Sequence, residues 1–527
     1  MIRISELPLP LDAPEGALRE ALLRRLQLRD QDLLEYTVFK RSYDARQKNS
    51  TISFVHVVDV AVRDEAAVLG RFARDPRVGP APDTSYHPVA RAPAGLPQRP
   101  LVVGFGPGGL FASLLLAQMG YRPIVWRRHV LDPESNVQFG EGGAGLFSDG
   151  KLYSQIKDPK FYGRKVMREF VQAGAPEEIL YVSKPHIGTF RLTGVVSRMR
   201  EQILALGGEV RFESRVTDLL LGDGQVEGVV LASGEVLRSR HVVLALGHSA
   251  RDSFRMLVSR GVFVEPKPFA IGFRIEHPQS MIDRARLGRY AGHPALGAAD
   301  YKLVHHARNG RAVYSFCMCP GGTVVAATSE EGRVVTNGMS QYSRNERNAN
   351  AGIVVGIEPK SDFPGGLLAG VELQERLESH AFELGGGDYC APGQLLGDFL
   401  RGVASTALGE VEPSYTPGVR LGDLATGLPD YAVEAIREAL PAFGRQIAGF
   451  DRADAVLTGV ETRTSSPLRI TRDPATLQSL NVRGLFPCGE GAGYAGGILS
   501  AGVDGIRVAE AVALSLGGAL EPVAVAS

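Results

Sequence analysis

The 527-residue sequence lacks the features of a secreted or membrane-embedded protein. It has four cysteines, too few for a disulfide framework in a chain of this length, which favours a reducing compartment. It opens without a basic segment followed by an apolar core, so we predict no signal peptide. No run approaches the ~18 apolar residues of a membrane span. We therefore expect a cytoplasmic protein.

Net charge is also absent, because 58 Lys and Arg residues balance 58 Asp and Glu residues. This balance excludes a general electrostatic attraction to nucleic acid or to an anionic membrane. Residues 39–48 are locally basic, as a nucleic-acid site or a solvated strand end would be. We expect a small-molecule substrate and neither a membrane nor a nucleic-acid partner, while the oligomeric state is left open.

Glycine is abundant instead, with 63 residues in 527, against a usual share of ~7%. Such an excess indicates tight turns or close backbone approach to a ligand. The pattern of the chain changes three times. Residues 1–90 read as strand, helix, two strands and helix, which suggests a ferredoxin-like α+β unit. An α/β pattern starts near Arg99, a β-rich region follows from Pro266, and the chain closes with strand, glycine loop and helix.

A glycine-rich turn follows the first α/β strand in "PLVVGFGPGGLFASLLLAQMG". Gly104, Gly106 and Gly109 fit G-x-G-x-x-G between a strand and a helix, the context that a dinucleotide-binding turn requires. Pro107 presets the start of the helix, and Gly108 lies beside it. These residues would bring the backbone and the helix N-terminus to a pyrophosphate. A glycine turn without a ligand is the alternative.

The acidic residue that normally binds the adenosine ribose is missing. It is expected at the end of the second strand, about 20 residues after the turn. Here "RPIV" runs directly into Trp126, Arg127 and Arg128. Arginine could accept the 2′-phosphate of NADP. We favour instead residues absent or deleted near Val125–Trp126.

Several long motifs resemble one family, the bacterial and archaeal FAD-dependent dehydrogenase-like proteins of poorly known substrate. This family belongs with the glutathione-reductase-type flavoproteins, and the resemblance covers nearly the whole chain. The motifs are "LDPESNVQFGEGGAGLFSDGKLYSQIKD", "FAIGFRIEHPQ", "YSFCMCPGGTVV", "TNGMSQYSRNERNANAG", "ETRTSSPLRI" and "GEGAGYAGGILSAGVDGI".

The resemblance implies an α/β fold with a Rossmann-like FAD-binding domain built on a parallel sheet. An N-terminal ferredoxin-like domain would span 1–95, the FAD-binding domain 96–265 and 451–527, and an inserted β-rich substrate or cap domain 266–450. FAD would be the cofactor, with NAD(P)H a transient electron donor and no metal. Glu490 would bind ribityl or phosphate-side hydroxyls, and Ser148 and Lys151 would reach phosphate or flavin. The cofactor-binding residues implied are Gly104, Gly106, Pro107, Gly108, Gly109, Gly142, Gly143, Ser148, Lys151, Val216, Gly247, Gly489, Glu490, Gly496, Gly497 and Ile498.

Candidate catalytic residues are Arg274, Arg463 and Lys151. In extended strands, Arg274 and Glu276 lie on one face, as do Glu461 and Arg463. Each pair is either a structural ion pair or a source of an arginine that binds a substrate carboxylate or stabilises reduced flavin. Candidate acid–base groups are His186 and His277, followed by Tyr301 and Tyr314.

Two cysteines, Cys317 and Cys319, share the "FCMC" motif. In an extended strand they would lie on one face, as a redox dithiol, half a metal site or two small buried apolar groups. No second pair or histidine spacing supports zinc. Cys390 and Cys488 read as packed thiols.

The sequence thus favours an FAD-dependent oxidoreductase that transfers hydride between a small molecule and flavin N5. A flavin monooxygenase, an RNA-binding or RNA-modifying flavoprotein and a flavin-free scaffold are the alternatives. One G-x-G-x-x-G turn leaves no evident second domain for NAD(P)H.

Overall fold

The computed structural model describes residues 1–45, 51–126, 141–145 and 149–517. It contains a mixed α/β fold with one parallel sheet and one large, mainly antiparallel sheet. Strands and helices are numbered below in chain order. Among the described residues, none of the helices combines the length and the apolar character needed to traverse a bilayer.

The N-terminal unit is a four-stranded antiparallel sheet with two helices. Its elements are β1 (Ile2–Pro10), α1 (Ala17–Leu26), β2 (Leu33–Asp44), β3 (Ser53–Val62), α2 (Glu65–Arg71) and β4 (Val78–Pro80). The spatial order is β2-β3-β1-β4. Ile4, Leu22 and Val58 are buried between the sheet and α1. The sequence predicted the β-α-β-β-α part of this succession, and β4 completes it at the edge of the sheet beside β1.

The next part of the chain supplies most of the parallel sheet and the helices around it. Its elements are β5 (Leu101–Val103), α3 (Pro107–Gln118), β6 (Ile124–Trp126), α4 (Tyr162–Gln172), α5 (Thr189–Ala205), β7 (Glu209–Arg211), β8 (Val216–Gly222), β9 (Gln225–Leu231), β10 (Val236–Arg238), β11 (Val242–Leu244) and α6 (Arg251–Ser259). Strands β8, β9 and β10 form a separate antiparallel sheet.

The rest of the chain forms the large sheet and then returns to the parallel one. Its elements are β12 (Val264–Pro266), β13 (Phe269–Pro278), α7 (Gln279–Leu287), β14 (Val304–His306), β15 (Ala312–Cys319), β16 (Gly322–Ala326), β17 (Thr336–Ser340), β18 (Asn348–Ile357), α8 (Ala369–Leu384), β19 (Ala391–Leu395), α9 (Leu396–Arg401), β20 (Val419–Leu421), α10 (Asp430–Gln446), β21 (Val456–Glu461), β22 (Leu468–Ile470), β23 (Leu485–Pro487) and α11 (Ile498–Ser515).

The parallel sheet has the order β23-β11-β5-β6-β7. From β5 the chain goes outward through β6 to β7, and then crosses to β11 and β23 on the other side. The strand order therefore reverses between β5 and β11. In open α/β sheets, ligands bind outside the carboxyl ends of the strands at such a reversal.

Strand β6 corrects one expectation about the missing acid. Ile124, Val125 and Trp126 pair one for one with Leu101–Val103 on one side and Glu209–Arg211 on the other. The backbone therefore continues through Val125–Trp126, and the prediction of absent residues at that bond is wrong. A deletion relative to the family stays a prediction, and Arg127 and Arg128 lie outside the described residues.

The large sheet has seven strands in the order β14-β15-β18-β13-β21-β19-β20. Strand β21 lies between β13 and β19, pairing with both. The predicted domain boundary at residue 450 therefore cuts this sheet, because β21 follows that residue in sequence. Strand β13 is buried along nearly its whole length, since α10 and neighbouring loops cover the sheet.

Helices α3 and α11 pack closely because glycines face each other. A Cβ atom on Gly505 would lie 2.3 Å from the carbonyl oxygen of Gly108 and 3.0 Å from the nitrogen of Ala112. Gly502 similarly faces Phe111, where a Cβ would lie 3.0 Å from the ring. This contact fixes the start of α11 beside the start of α3.

We predict that Gly505→Ala lowers the free energy of unfolding by about 1–3 kcal/mol, because the added methyl group meets backbone atoms that cannot rotate away. Urea unfolding followed by circular dichroism measures the change. Gly70→Ala is the matched control, because Gly70 lies in α2 with no atom within 4 Å of a Cβ. The control should be neutral or slightly stabilising; equal losses in both variants would contradict the packing argument.

Candidate active site

A cleft of about 970 Å³ opens at the carboxyl ends of β5 and β11 and extends to the large sheet. It brings together segments that are far apart in sequence. Of the predicted residues, it is lined by Gly104, Gly106, Pro107, Gly108, Gly143, Lys151, Val216, Gly247, Gly489, Glu490, Gly496, Gly497, Ile498 and Arg463. Gly109, Gly142 and Arg274 are not among its lining residues, and Ser148 lies outside the described residues.

The floor of the cleft depends on a close approach of two backbone segments. Gly104 has φ +105°, and a Cβ there would lie 2.2 Å from the carbonyl oxygen of Ala245. A Cβ on Gly109 would lie 2.0 Å from the carbonyl oxygen of Gly104. Gly104 is therefore required by the turn, and Gly109 by helix–strand packing rather than by direct exposure to the cleft.

Two helices begin at the cleft. Helix α3 starts at Pro107 and α11 at Ile498, and both residues line the cavity. Helix N-termini carry free N–H groups and partial positive charge, which suit a phosphate group. A Cβ on Gly496 or Gly497 would meet no atom of the described residues within 4 Å. The backbone here thus borders open space that a ligand can approach closely.

Residues 141–145 lie against the glycine turn. The N–H of Gly142 donates to the carbonyl oxygen of Phe105 at 3.0 Å, which explains why Gly142 supports the cleft without lining it. A Cβ on Gly143 would lie 3.1 Å from the Cα of Gly106. Arg200 anchors this segment by donating to both carboxylate oxygens of Glu141, at 3.0 and 2.9 Å.

Glu490 brings a carboxylate to the cleft. Burial raises its pKa to about 7, against a partial opposing effect of Lys267. Its side chain has no hydrogen-bond partner among the residues described, so its oxygens are available to hydroxyl donors of a ligand. The glycine-lined floor, the two helix N-termini and this carboxylate fit an elongated nucleotide such as FAD.

Arg274 is structural, contrary to its prediction as a catalytic residue. It is fully buried, and its Nε donates to Glu461 at 2.8 Å. Its Nη1 donates to Asn350 at 2.8 Å and to the carbonyl oxygen of Cys317 at 3.0 Å. The ion pair crosses between β13 and β21, because side chains on neighbouring antiparallel strands meet on one face.

The two within-strand ion pairs considered from sequence are therefore not formed. Glu276 instead accepts hydrogen bonds from the Ser414 hydroxyl at 2.6 Å and from Asn348 at 3.0 Å. Arg463 reaches the cleft, but Glu378 accepts from its Nε at 3.0 Å and from its Nη2 at 2.8 Å. The bidentate face that would bind a substrate carboxylate is already occupied.

Sequence reasoning missed the partners of Arg463. Glu378 is fully buried on α8 and also pairs with Arg251, at 2.7 Å. Burial by itself would raise the pKa of Glu378, but Arg463 and Arg251 outweigh it and hold the pKa below its usual range. Residues so far apart in sequence carry no local pattern that would have paired them.

The predicted histidine acid–base groups lie away from the cleft lining. Nε2 of His277 lies 2.6 Å from the carbonyl oxygen of Phe450, and burial lowers its pKa to about 4. Nε2 of His186 lies 3.0 Å from the carbonyl oxygen of Tyr342, and burial again lowers the pKa. His248 does line the cleft, but burial holds its pKa at about 3, so it is neutral at ordinary pH.

Tyr301 and Tyr314 line the cleft on the side of the large sheet, as does Lys151. Burial raises the pKa of both tyrosines, so both are neutral hydroxyls. Burial by itself lowers the pKa of Lys151, but Cys319, Cys317 and Asp149 outweigh it and raise the pKa. Lys151 therefore presents an ammonium group to the cleft, and it forms an ion pair with Asp149, whose Oδ2 lies 3.8 Å from Nζ.

All four cysteines are free thiols. Cys317 lines the cleft, whereas Cys319 is buried beside it. Cys488 is buried under the glycine turn, where a Cβ on Gly108 would lie 3.3 Å from its sulfur. Among the described residues, no group of three or more His, Cys, Asp or Glu side chains could hold a metal ion.

Comparison with known proteins shows which families this chain resembles and which family it belongs to. Residues 268–464 match the family model described as "FAD-dependent protein, C-terminal domain-like", and residues 1–61 match a domain of unknown function. Residues 268–464 thus resemble the C-terminal domain of FAD-dependent proteins. The chain belongs to the family of an uncharacterized protein of Clostridium beijerinckii (strain ATCC 51743 / NCIMB 8052), with 47% identity over 528 residues, 97% of this chain and 98% of that protein.

Solved structures show more distant likenesses. Glycine oxidase from Bacillus cereus ATCC 14579 is 10% identical and covers 80% of this chain and 98% of its own, with a TM-score of 0.36. L-amino acid deaminase from Proteus vulgaris is 11% identical and covers 83% of this chain and 98% of its own, with a TM-score of 0.37. At these values the likenesses assign no activity.

We predict that Glu378→Gln lowers the free energy of unfolding by about 3–5 kcal/mol, because it leaves Arg251 and Arg463 buried without their counter-charge. Denaturant unfolding near neutral pH measures the loss. In the wild type, this contribution is present above the ordinary carboxylate pKa and is lost as pH falls through the depressed pKa of Glu378.

The control for this variant is Glu438→Gln, which removes a more exposed carboxylate that pairs with His305 at 3.0 Å. It should change stability by less than about 1 kcal/mol. A loss as small in Glu378→Gln would mean that the buried cluster is not held together by charge.

Proposed function

We propose that this protein is an FAD-dependent oxidoreductase that transfers hydride between a small-molecule substrate and N5 of the flavin. The single observation that carries the proposal is the cleft, in which Gly106, Gly247 and Gly497 line one continuous cavity. Such convergence of separate chain segments at the carboxyl ends of parallel strands suits a dinucleotide. The family model for residues 268–464 supports the same cofactor.

We assign binding of the cofactor to one side of the cleft and binding of the substrate to the other. The turn before α3 and the start of α11 would hold the pyrophosphate through backbone N–H groups. Glu490 would accept hydrogen bonds from ribityl hydroxyls, and Val216 would contact the adenosine half. Bound FAD would supply the redox chemistry, while the protein supplies position, charge and exclusion of water.

The large sheet would form the substrate side. Tyr301, Tyr314 and Lys151 face the cleft from this side. The neutral tyrosine hydroxyls can donate or accept hydrogen bonds, and the Lys151 ammonium can attract an anionic substrate group. In this proposal the inserted β-rich region is the substrate or cap domain, and residues 1–95 form the ferredoxin-like domain.

The electron donor is proposed to be NAD(P)H that binds transiently, because the sequence has no evident second domain for it. A monooxygenase would couple reduction to oxygen uptake and product hydroxylation. An RNA-binding role would use the basic residues 39–48, of which 46–48 lie outside the described residues. No feature of the cleft favours either alternative over the dehydrogenase.

One experiment separates these possibilities. The purified protein is denatured, the released cofactor is identified by absorbance and mass, and the native protein is mixed anaerobically with NADH or NADPH. FAD release and bleaching of the oxidised flavin band support the proposal. A colourless protein without FAD would refute it. Oxygen uptake with substrate hydroxylation identifies a monooxygenase, and salt-dependent RNA retention identifies the RNA-binding role.

We predict that Gly497→Val reduces the FAD content of the purified protein at least tenfold, because the side chain enters the space at the start of α11. Since a Cβ here meets no atom within 4 Å in the part of the chain that the structure describes, we expect the apoprotein to fold normally. FAD released per protein is measured by absorbance, and folding by thermal unfolding of the apoprotein.

Gly366→Val is the matched control, because Gly366 is exposed, lies outside the cleft and also has no atom within 4 Å of a Cβ. It should retain full FAD content. Wild-type FAD content in Gly497→Val would place the cofactor elsewhere and overturn the assignment of this end of the cleft.

A further inference from the structure

The "FCMC" motif forms a β-bulge on the wall of the cleft. Strand β15 pairs with β18 at Phe316–Gly352 and resumes pairing at Cys319–Asn350. Two residues, Cys317 and Met318, therefore oppose Ala351 alone, which breaks the alternation of an extended strand. The same-face arrangement expected for a regular strand is replaced by a local bend.

The backbone of the bulge is strained. Cys317 has φ +42°, in the left-handed region that a residue with a Cβ rarely adopts. Such strain persists only where surrounding contacts impose it, and it is concentrated at functional sites. Packing two small apolar side chains into a sheet does not require it.

Two cationic side chains impose this conformation. Nη1 of Arg274 donates to the carbonyl oxygen of Cys317 at 3.0 Å. Nζ of Lys151 donates to the carbonyl oxygen of Met318. Both cations favour the thiolate form of Cys317, as cations do at reactive cysteines, although Glu461, the ion-pair partner of Arg274, opposes them.

The two cysteines differ in access, and the Cys319 thiol lies against the backbone of Cys317. Cys317 is half-buried and lines the cleft, whereas Cys319 is fully buried. The Cys319 thiol donates to the carbonyl oxygen of Cys317 at 3.3 Å. The neighbouring Cys319 side chain, together with Lys151 and Arg274, lowers the pKa of Cys317 against the effect of burial, whereas Cys317 and burial raise the pKa of Cys319.

We propose that Cys317 and Cys319 are a reversible dithiol–disulfide pair, with Cys317 as the nucleophile and Cys319 as the resolving thiol, that exchanges with a disulfide substrate entering the cleft. This inference goes beyond the proposed flavin chemistry, and its test measures the state of the two thiols without requiring bound FAD. The site takes a disulfide of low molecular weight, because the cleft that exposes Cys317 is a cavity of about 970 Å³.

The exchange balances without another reactant. The Cys317 thiolate attacks one sulfur of the substrate disulfide, forms a mixed disulfide and expels one thiolate. The Cys319 thiol then loses its proton, attacks the Cys317 sulfur and expels the second thiolate. The protein dithiol is oxidised by two electrons to a disulfide, and the substrate disulfide is reduced to two thiols. The reverse sequence regenerates the dithiol.

The first test measures the pair in the wild-type protein, with oxidised glutathione as the probe. Native full-length protein is incubated with dithiothreitol or with oxidised glutathione, freed of reagent, denatured, alkylated and digested with trypsin. The peptide Ala312–Arg333 contains both cysteines and no other. We expect two alkyl groups on this peptide after reduction. After oxidation we expect none, with a mass two hydrogens lower than that of the unalkylated dithiol.

The variants test the assigned order of the two thiols. Cys319→Ser should trap glutathione on Cys317, whereas Cys317→Ser should leave Cys319 free for alkylation. Cys390→Ser is the control, because Cys390 lies outside the cleft lining, and it should behave as the wild type does. Far-UV circular dichroism checks that each variant is folded; should one variant not fold, the wild-type peptide decides.

Full alkylation of the wild-type peptide after native oxidation would overturn the proposal, as would equal glutathione capture in the two single variants. FAD content is recorded on the same samples. A protein that binds FAD but keeps both thiols reduced refutes the thiol pair alone. A protein that forms the disulfide without FAD refutes the flavin assignment alone.

Discussion

The close approach of backbone between the ends of β5 and β11 is the constraint on which the rest of the site depends. It requires Gly104 in a left-handed conformation and leaves no room for a Cβ beside the Ala245 carbonyl. The facing glycines of α3 and α11 add a second close contact, which brings another helix N-terminus to the same cavity. Backbone N–H groups, rather than charged side chains, thereby dominate the proposed nucleotide half.

Charge in the other half of the cleft is largely balanced within the protein. Arg274 is paired with Glu461, and Arg463 shares Glu378 with Arg251. These buried pairs set the shape of the wall rather than bind substrate, because their hydrogen-bonding faces are already used. Lys151 and Cys317 line the cleft on this side, and they are the groups that we propose to be reactive.

Much of the fold and of the cofactor site could be predicted, because local patterns carry it. The glycine spacing after a strand predicts the turn and the start of α3, and the C-terminal strand, glycine loop and helix predict the start of α11. The catalytic set was predicted less well. Arg274 and Glu461 are 187 residues apart yet form an ion pair, and His277 is buried away from the cleft.

The sequence alone determined the order of elements from β1 to α2 and the two segments in which a strand, a glycine turn and a helix follow one another, at α3 and α11. These depend on short-range periodicity and on residues without a Cβ. The sequence did not reveal α4, α7, α8 or α10. For "FCMC" it predicted only that two thiols would share one face of a regular strand, which the bulge in β15 replaces. Only the tertiary structure decided that Cys317 lies in a bulge and lines the cleft. It also decided that Arg274 and Arg463 each form an ion pair with a distant glutamate. Those outcomes depend on strand register and on contacts between distant segments, which no local pattern records.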